Sequence, residues 1–297
     1  MHMFHVKLPM DFVDKINAYI DNTLIPLDDN YGKVKGNAEL EHSYSKGLVG
    51  QIRQDERSAQ LDCRVLDNDA EDAKQTPKIN GLGSMPIVDV IDKTIGVIVS
   101  GGFDSAVLWH LVYKECLKRD IKIKAFTVPK VDGSIRHANL VLEDSCKRFG
   151  TKRMETIQVG EVDNNNRDPS GEDLFLQLLS GMKEAYGWKD GRKQGGMCDV
   201  LFTGANPYAP HIIRDFGPPE RNFVKGTEWE SIVKQPFDNY TKDWIVDIAW
   251  EEGILDDISK ITHSCVRLNR GRCGECLWCV ERAWAFEQNG YTDLGEN

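Results

Sequence analysis

The chain has 297 residues, a length that admits two domains or one large domain with additions. Its 37 Lys and Arg against 47 Asp and Glu leave a formal charge of −10, which argues against a broad nucleic-acid or membrane-surface footprint but leaves room for a local basic pocket. A hydrophobic share of 40% beside 28% charged residues can bury a sizeable core, and no apolar run is long enough to span a membrane.

The opening MHMFHVKLPMDFVDK carries charges where a secretion signal needs an apolar stretch, so a cytoplasmic protein is expected. Phe12, Val13, Ile16 and Ile20 recur at helical spacing and predict a short amphipathic helix over 10–22. Between 28 and 75 the apolar residues thin out, and Pro77 with its Gly and Asn neighbours breaks structure over 76–85. Residues 1–88 read as an N-terminal extension, a packing arm or linker, and 89–297 as the main domain. There the pattern changes. Ile95-Gly96-Val97-Ile98-Val99 is a β-branched run typical of a buried strand. Behind it Val107, Leu108, Leu111 and Val112 share one helical face. The pattern then predicts a strand over 121–128, a helix over 138–149, a short strand over 156–159 and a helix over 172–186. A strand over 200–203 enters a long Pro-containing loop, and a helix over 241–252 turns Trp244, Ile245, Ile248 and Ala249 inward. Strands alternating with helices give the α/β class, a parallel sheet with helices on both faces.

The strand 95–99 runs through Ser100-Gly101-Gly102-Phe103-Asp104-Ser105 straight into a helix. Two glycines let backbone N–H groups approach a phosphate, two serines add hydroxyls, and the helix adds its positive N-terminal end. The Gly-Lys-Ser/Thr ending of a Walker A loop and the GxGxxG of a dinucleotide fold are both missing. Asp104 is unfavourable beside bare phosphate and makes sense if Mg²⁺ bridges its carboxylate to phosphate oxygens.

Eight cysteines in a chain of this size do not read as a disulfide framework. Cys63, Cys116, Cys146 and Cys198 are scattered and read as small buried hydrophobes. Cys265, Cys273, Cys276 and Cys279 are clustered, with Gly271 and Gly274 permitting a tight fold-back. Four thiolates at this spacing suit a closed tetrahedral Zn²⁺ site within 264–282, and an iron–sulfur cluster is the competing metal. Arg267, Arg270, Arg272 and Arg282 could offset the charge of such a site.

The SGGxDS pattern of Ser100 to Ser105 resembles the PP-loop ATP pyrophosphatases. Members of that family cleave ATP between its α- and β-phosphates and place AMP on a substrate oxygen. The cysteine segment, with Arg282 and Ala285-Phe286 behind it, narrows the resemblance to the 7-cyano-7-deazaguanine synthases of the queuosine pathway. Gly204-Ala205-Asn206, Arg136-His137 and Thr241-Lys242-x2-Ile245-Val246 add to it, over about residues 93–293. The resemblance implies an ATP-dependent carbon–nitrogen ligase acting on 7-carboxy-7-deazaguanine and ammonia, a small-molecule enzyme compatible with a homodimer. It implies ATP held by Ser100, Gly101, Gly102, Phe103, Asp104, Ser105, Gly204 and Asn206, and chemistry carried by Asp104, Lys242, Arg136 and His137. Lys242 would neutralise phosphate or leaving pyrophosphate, while Arg136 and His137 would hold the substrate carboxylate or a phosphate.

Two stretches depart from that family. Pro207 to Asp215 replaces a Tyr-Pro-Asp-Cys-Arg segment, and Val131 to Ile135 replaces the turn before Arg136. Another deazapurine or another carboxylate is therefore an alternative acceptor, with His211, Arg214 and Asp215 on the substrate side. A PP-loop sulfur transferase acting on RNA is a further alternative, with Cys198 as its only candidate reactive thiol. A nucleotide-sensing module with 1–88 as its interaction arm is a third. Trp229, Trp244, Trp250, Trp278 and Trp284 read as packing aromatics rather than base-stacking platforms.

Overall fold

The computed structural model describes residues 11–24, 93–129, 133–160, 171–189, 192–218, 229, 232–266 and 271–295. In chain order these form α1 (Asp11–Leu24), β1 (Thr94–Ile98), α2 (Phe103–Lys118), β2 (Lys122–Thr127), α3 (Ser134–Phe149), β3 (Ile157–Gln158) and α4 (Gly171–Tyr186). They continue with β4 (Trp188–Lys189), β5 (Arg192–Lys193), β6 (Val200–Phe202), α5 (Pro210–Phe216), β7 (Val233–Lys234), α6 (Lys242–Glu251), α7 (Leu255–Ile261) and α8 (Leu277–Gln288). Of the extension expected over 1–88, the stretches outside 11–24, Cys63 among them, lie outside the described residues.

The main sheet has the order β3-β2-β1-β6-β7 and every pair in it is parallel. β1 is central: Thr94 to Ile98 pair with Lys122 to Phe126 on one side, and Ile95 to Val97 with Val200 to Phe202 on the other. Alternate residues feed two cores. Ile95, Val97 and Phe202 join the core holding α2 and α6, whereas Ile98, Phe126 and Leu201 face Met182 and Ala185 of α4. The expected parallel sheet covered on both faces is what forms. β4 and β5 make a small antiparallel pair apart from it.

α2 is buried around most of its circumference, from Phe103 to Cys116, because it lies between the sheet and the helices α1, α3, α6 and α7. α1 sends Ile16 and Ile20 into that same core. Its polar side holds on through Lys15 Nζ, which donates to Asp238 Oδ1 at 2.6 Å, and Asn17 Oδ1, which accepts from Arg119 Nη2 at 2.8 Å.

One helix start and three elements differ from the sequence expectation. α3 begins at Ser134, so Arg136 and His137 sit in its first turn rather than in a loop. The Pro-containing stretch after β6 contains the short helix α5, for which Pro210, with its preset φ, supplies the first turn. β7, two residues long, and α7, two turns long, carry too little periodicity to be read locally.

One polar cluster braces α2 against the end of α6. Glu252 Oε2 accepts from Lys114 Nζ at 2.6 Å and lies 3.4 Å from His110 Nε2. The hydrogen bond from His110 and the charge of Lys114 outweigh the cost of burial and hold the Glu252 carboxyl down at about 2. A carboxyl depressed in the folded chain stabilises it above the unfolded value, and that contribution fades as the pH falls from about 4.5 toward 2. Glu252→Gln should cost about 1–3 kcal/mol at neutral pH, and the gap to the parent chain should close across that acid window. Urea unfolding of both chains along a pH series reads this directly.

Candidate functional site

β1 and β6 are the neighbouring strands from which the chain winds in opposite directions across the sheet. In an open parallel sheet the crevice beyond the carboxyl ends of such strands is where ligands bind. The two segments emerging there are Ser100–Ser105 and Thr203–Asn206.

The first segment is shaped by its own hydroxyls. The Ser100 N–H donates to Ser105 Oγ at 3.1 Å, Ser105 Oγ donates to the Gly102 carbonyl at 3.0 Å, and the two hydroxyls lie 3.0 Å apart. Gly101 has φ +79°, and a Cβ there would stand 2.6 Å from the Ser134 carbonyl and 2.8 Å from His137 Cβ. Only glycine meets both conditions. Gly204 comes equally close to the first segment: a Cβ on it would lie 3.0 Å from the Asp104 carbonyl carbon and the Ser105 nitrogen. Asn206, two residues later, is buried. The N-cap of α2 is Gly102, which offers no side-chain cap, so the first amides of the helix suit an anion.

Phe103 stands apart from its neighbours in the loop. Its ring is buried 5.3 Å from Phe286 and 5.4 Å from the Arg282 guanidinium, so its side chain is core. Only its backbone remains for an anion.

Asp104 and Lys242, 138 positions apart, form the charged heart of the site. Lys242 opens α6 and is 2% exposed, its Nζ lying 3.0 Å from Asp104 Oδ2 and 2.8 Å from Oε2 of Glu281, which is completely buried. Asp104 Oδ1 is buried and has no hydrogen-bond partner among the described residues. A carboxylate oxygen in that state is costly unless a cation or donor meets it. The residues present therefore fit the Mg²⁺ that accompanies ATP.

His137 is brought against the loop at Gly101. Its Nδ1 donates to the Ile261 carbonyl at 2.8 Å, and its ring stacks on His263 with centroids 5.1 Å apart. The His263 N–H in turn donates to the Gly101 carbonyl at 2.9 Å. Arg136, one position earlier, is exposed. His211 packs 4.8 Å from Trp284, and Arg214 spends its Nε and Nη2 on Asp215 at 2.6 and 3.1 Å, both on the surface. Among the described residues neither Arg214 nor Asp215 hydrogen-bonds to the Ser100–Ser105 loop.

The Sγ atoms of Cys265, Cys273, Cys276 and Cys279 all lie within 4.8 Å of one another, with Cys273 and Cys279 at 3.9 Å. Sulfurs about 2.3 Å from one tetrahedral ion stand about 3.8 Å apart, so the set fits a single metal ion. A cluster of several irons needs its thiolates spread wider. Crowding polarises the group: a hydrogen bond from Cys279 pulls the Cys276 thiol down to about 4 and pushes the Cys279 thiol up. Four thiolates so close need a cation to coexist.

Arg282 was expected to offset that thiolate charge. Instead it is buried, donating to Asp293 through Nε and Nη2 at 2.9 Å each, to Thr262 Oγ1 at 3.0 Å and to the Ser259 carbonyl at 2.8 Å. Arg272 pairs with the same Asp293. Burial alone would raise the Asp293 carboxyl, but the two guanidinium groups hold it below its ordinary value. Arg267 and Arg270 lie outside the described residues, as do Val131 and Asp132.

Cys198 is buried and desolvation pushes its thiol up to about 12. A buried thiol held protonated is a poor nucleophile, which weighs against the sulfur-transfer alternative. Glu281 and His263 went unnoticed in the sequence. The signal for Glu281 was an acid on the inward face of a helix otherwise lined by Ala285 and Phe286, and it carries meaning only once Lys242 is known to face it.

No family model matches the chain. It is similar to the 7-cyano-7-deazaguanine synthase of Rickettsia conorii, 26% identical over 234 residues that cover 66% of this chain and 95% of the relative. The synthase of Rickettsia africae matches to the same extent. Among solved structures, NMN synthetase from Francisella tularensis superposes with a TM-score of 0.39 at 13% identity, over 67% of this chain and 77% of the other. The U34-tRNA thiolase NcsA from Methanococcus maripaludis gives 0.35 at 14%, over 67% of each chain. No helix among the described residues is long and apolar enough to cross a membrane. With its parallel sheet and its SGGFDS loop at the switch point, the chain has the layout of a PP-loop nucleotide-binding fold and is similar in sequence to the 7-cyano-7-deazaguanine synthases.

Proposed function

We propose that the chain is an ATP-dependent carbon–nitrogen ligase that converts 7-carboxy-7-deazaguanine and ammonia to 7-cyano-7-deazaguanine. The observation that carries the reading is the Ser100–Ser105 loop at the β1/β6 crevice, with one oxygen of Asp104 held by Lys242 and the other buried without a hydrogen-bond partner among the described residues. The curated relatives supply the acceptor.

A carboxylate oxygen is a poor leaving group. Its attack on the α-phosphorus of ATP expels pyrophosphate and leaves an acyl adenylate. Ammonia then displaces AMP to give the amide. The amide oxygen attacks a second ATP, and loss of AMP with a proton from nitrogen leaves the nitrile. This chain contributes positioning and charge. The amides opening α2 and the hydroxyls of Ser100 and Ser105 receive phosphate oxygens, and Gly204 lets the β6 segment close on them. Asp104 would hold Mg²⁺, which when bound screens the phosphate charge. Lys242 compensates Asp104 and the departing pyrophosphate. Arg136, exposed in the first turn of α3, takes the substrate carboxylate, and His137 stands between it and the loop. Residues 89–297 form the synthase domain, with Zn²⁺ in the four-thiol site as a structural ion.

The altered segment from Pro207 to Asp215, which leads into and makes up most of α5, favours a second reading in which another deazapurine or carboxylate is the acceptor. Mass spectrometry of products from ATP, Mg²⁺, ammonium and a panel of deazaguanine carboxylates decides. AMP release dependent on 7-carboxy-7-deazaguanine, with an amide or nitrile product, is the expected result. Turnover indifferent to the whole panel would move the acceptor elsewhere.

A further inference from the structure

Thr262, His263 and Ser264 run from the end of α7 toward Cys265 and pass beside the Ser100–Ser105 loop. The His263 N–H donates to the Gly101 carbonyl at 2.9 Å. In a planar trans peptide the carbonyl and the following N–H point opposite ways, so this bond also aims the Gly102 N–H. That N–H faces Ser100 Oγ at 3.4 Å, on the side of the hydroxyls that would meet phosphate. Turned over, the same peptide would present the Gly101 carbonyl to phosphate oxygens, and the two would repel. Two adjacent glycines make such a flip sterically cheap, so its direction has to be held.

The hold comes from α8. The Arg282 guanidinium, 1% exposed, grips the chain on both sides of His263. Its Nη1 donates to the Thr262 carbonyl at 3.2 Å, to Thr262 Oγ1 at 3.0 Å and to Ser264 Oγ at 3.3 Å. Its Nη2 donates to the Ser259 carbonyl at 2.8 Å, at the base of the same segment. Nε and Nη2 each meet one oxygen of Asp293 at 2.9 Å, a two-pronged pairing that fixes the plane of the guanidinium. Arg282 also feels the charge of Asp104, so orientation and charge have to be separated by experiment.

We propose that Arg282 is a positioning residue for the ATP loop: oriented by Asp293, it holds residues 262–264 so that His263 keeps the Gly101–Gly102 peptide in its phosphate-receiving orientation. The inference rests on the ATP-site reading above and gives that site a support from α8 and from the chain beyond it. Arg282 acts through the backbone of His263.

The test is calorimetric titration of the full chain with ATP and Mg²⁺, for the parent, Arg282→Lys, Gly102→Ala and their double variant. Arg282→Lys keeps the charge but loses the planar fork that spans Thr262, Ser264 and Asp293. It should weaken ATP binding about tenfold, the scale of one hydrogen bond to a charged group. Glu252→Gln, which loosens the brace between α2 and the end of α6, should lower the melting temperature and leave ATP affinity alone. ATP affinity that falls in step with stability in both chains would overturn the inference. Gly102→Ala supplies the mechanism. Its methyl would lie 3.4 Å from Ser100 Oγ and 3.7 Å from the His263 carbonyl, ordinary contacts, and the φ of −83° suits alanine. Flipping the peptide would turn that φ positive, which alanine resists. With the flip blocked in this way, the Arg282→Lys effect should shrink to about threefold or less. An undiminished effect would show that Arg282 acts by another route and would overturn the positioning role. Hydrogen exchange of residues 259–265 should be faster in Arg282→Lys, and it decides where Gly102→Ala itself prevents binding: unchanged exchange overturns the inference. If Arg282→Lys does not fold, Asp293→Asn, which releases the same fork, takes its place. A parent chain that binds no ATP would defeat the ATP-site reading itself, whereas a parent and Arg282→Lys binding alike would defeat only this step.

Discussion

Asp104→Ala should cut AMP formation by roughly a thousandfold while the chain stays folded. The carboxylate lies in the first turn of α2, and its two oxygens have separate fates: Oδ2 faces Lys242 at 3.0 Å, and Oδ1 meets no donor among the described residues. Removing the side chain deletes the only group in the loop able to neutralise a cation. Lys242 keeps Glu281 at 2.8 Å, so no buried charge is stranded and the melting temperature should move by only a few degrees. Chromatography of the nucleotides after single turnover reads the loss. The same measurement tests the chemistry in the parent chain, because AMP with pyrophosphate is expected there. ADP with phosphate would mean cleavage at the wrong bond, and the PP-loop assignment would fall with it.

The loop was legible because its parts are contiguous. Ser100, Gly101, Gly102 and Ser105 shape one another over six residues, and a β-branched run before them fixes the strand that ends there. The thiol cluster was legible for the same reason, with three of its four members within seven residues. The parallel sheet followed from strict alternation of strand and helix. What stayed hidden is long-range. Nothing near Lys242 announces that it will be buried between Asp104 and Glu281, and as the first residue of a helix it reads equally well as a solvated charge. Arg282 lies three positions from Cys279, and proximity in sequence suggested the thiolates as its partner. The helix turns it to Asp293 instead, an acid eleven positions later in an unpatterned tail. Trp250, expected to pack, is 45% exposed and stacks on Tyr291 at the surface. In α5, Arg214 and Asp215 satisfy each other, a local pairing that the idea of a substrate loop overlooked.

Cys279→Ser should do the largest damage to the fold and reach the ATP site as well. Cys279 is buried, 3.9 Å from Cys273, in the first turn of α8. A serine hydroxyl there is a poor ligand for a soft thiolate site, so bound zinc should fall from about one ion per chain to a small fraction of that. Three thiolates would then be left crowded with no cation between them. The expected loss is about 3–5 kcal/mol, the scale for breaking a structural metal or buried charge site, and a melting temperature about 10 °C lower in a chain of this size. α8 carries more than its own stability. It sets Glu281 on Lys242, lays Arg282 against the Phe103 ring, and places Phe286 on the same ring. Release of its first turn should therefore weaken ATP binding even below the new melting temperature. Metal analysis, thermal unfolding and nucleotide titration on one preparation separate these effects. Parent protein with neither zinc nor iron would remove the premise, whereas a zinc-free variant that binds ATP as tightly as the parent would show that α8 holds its place on core packing alone.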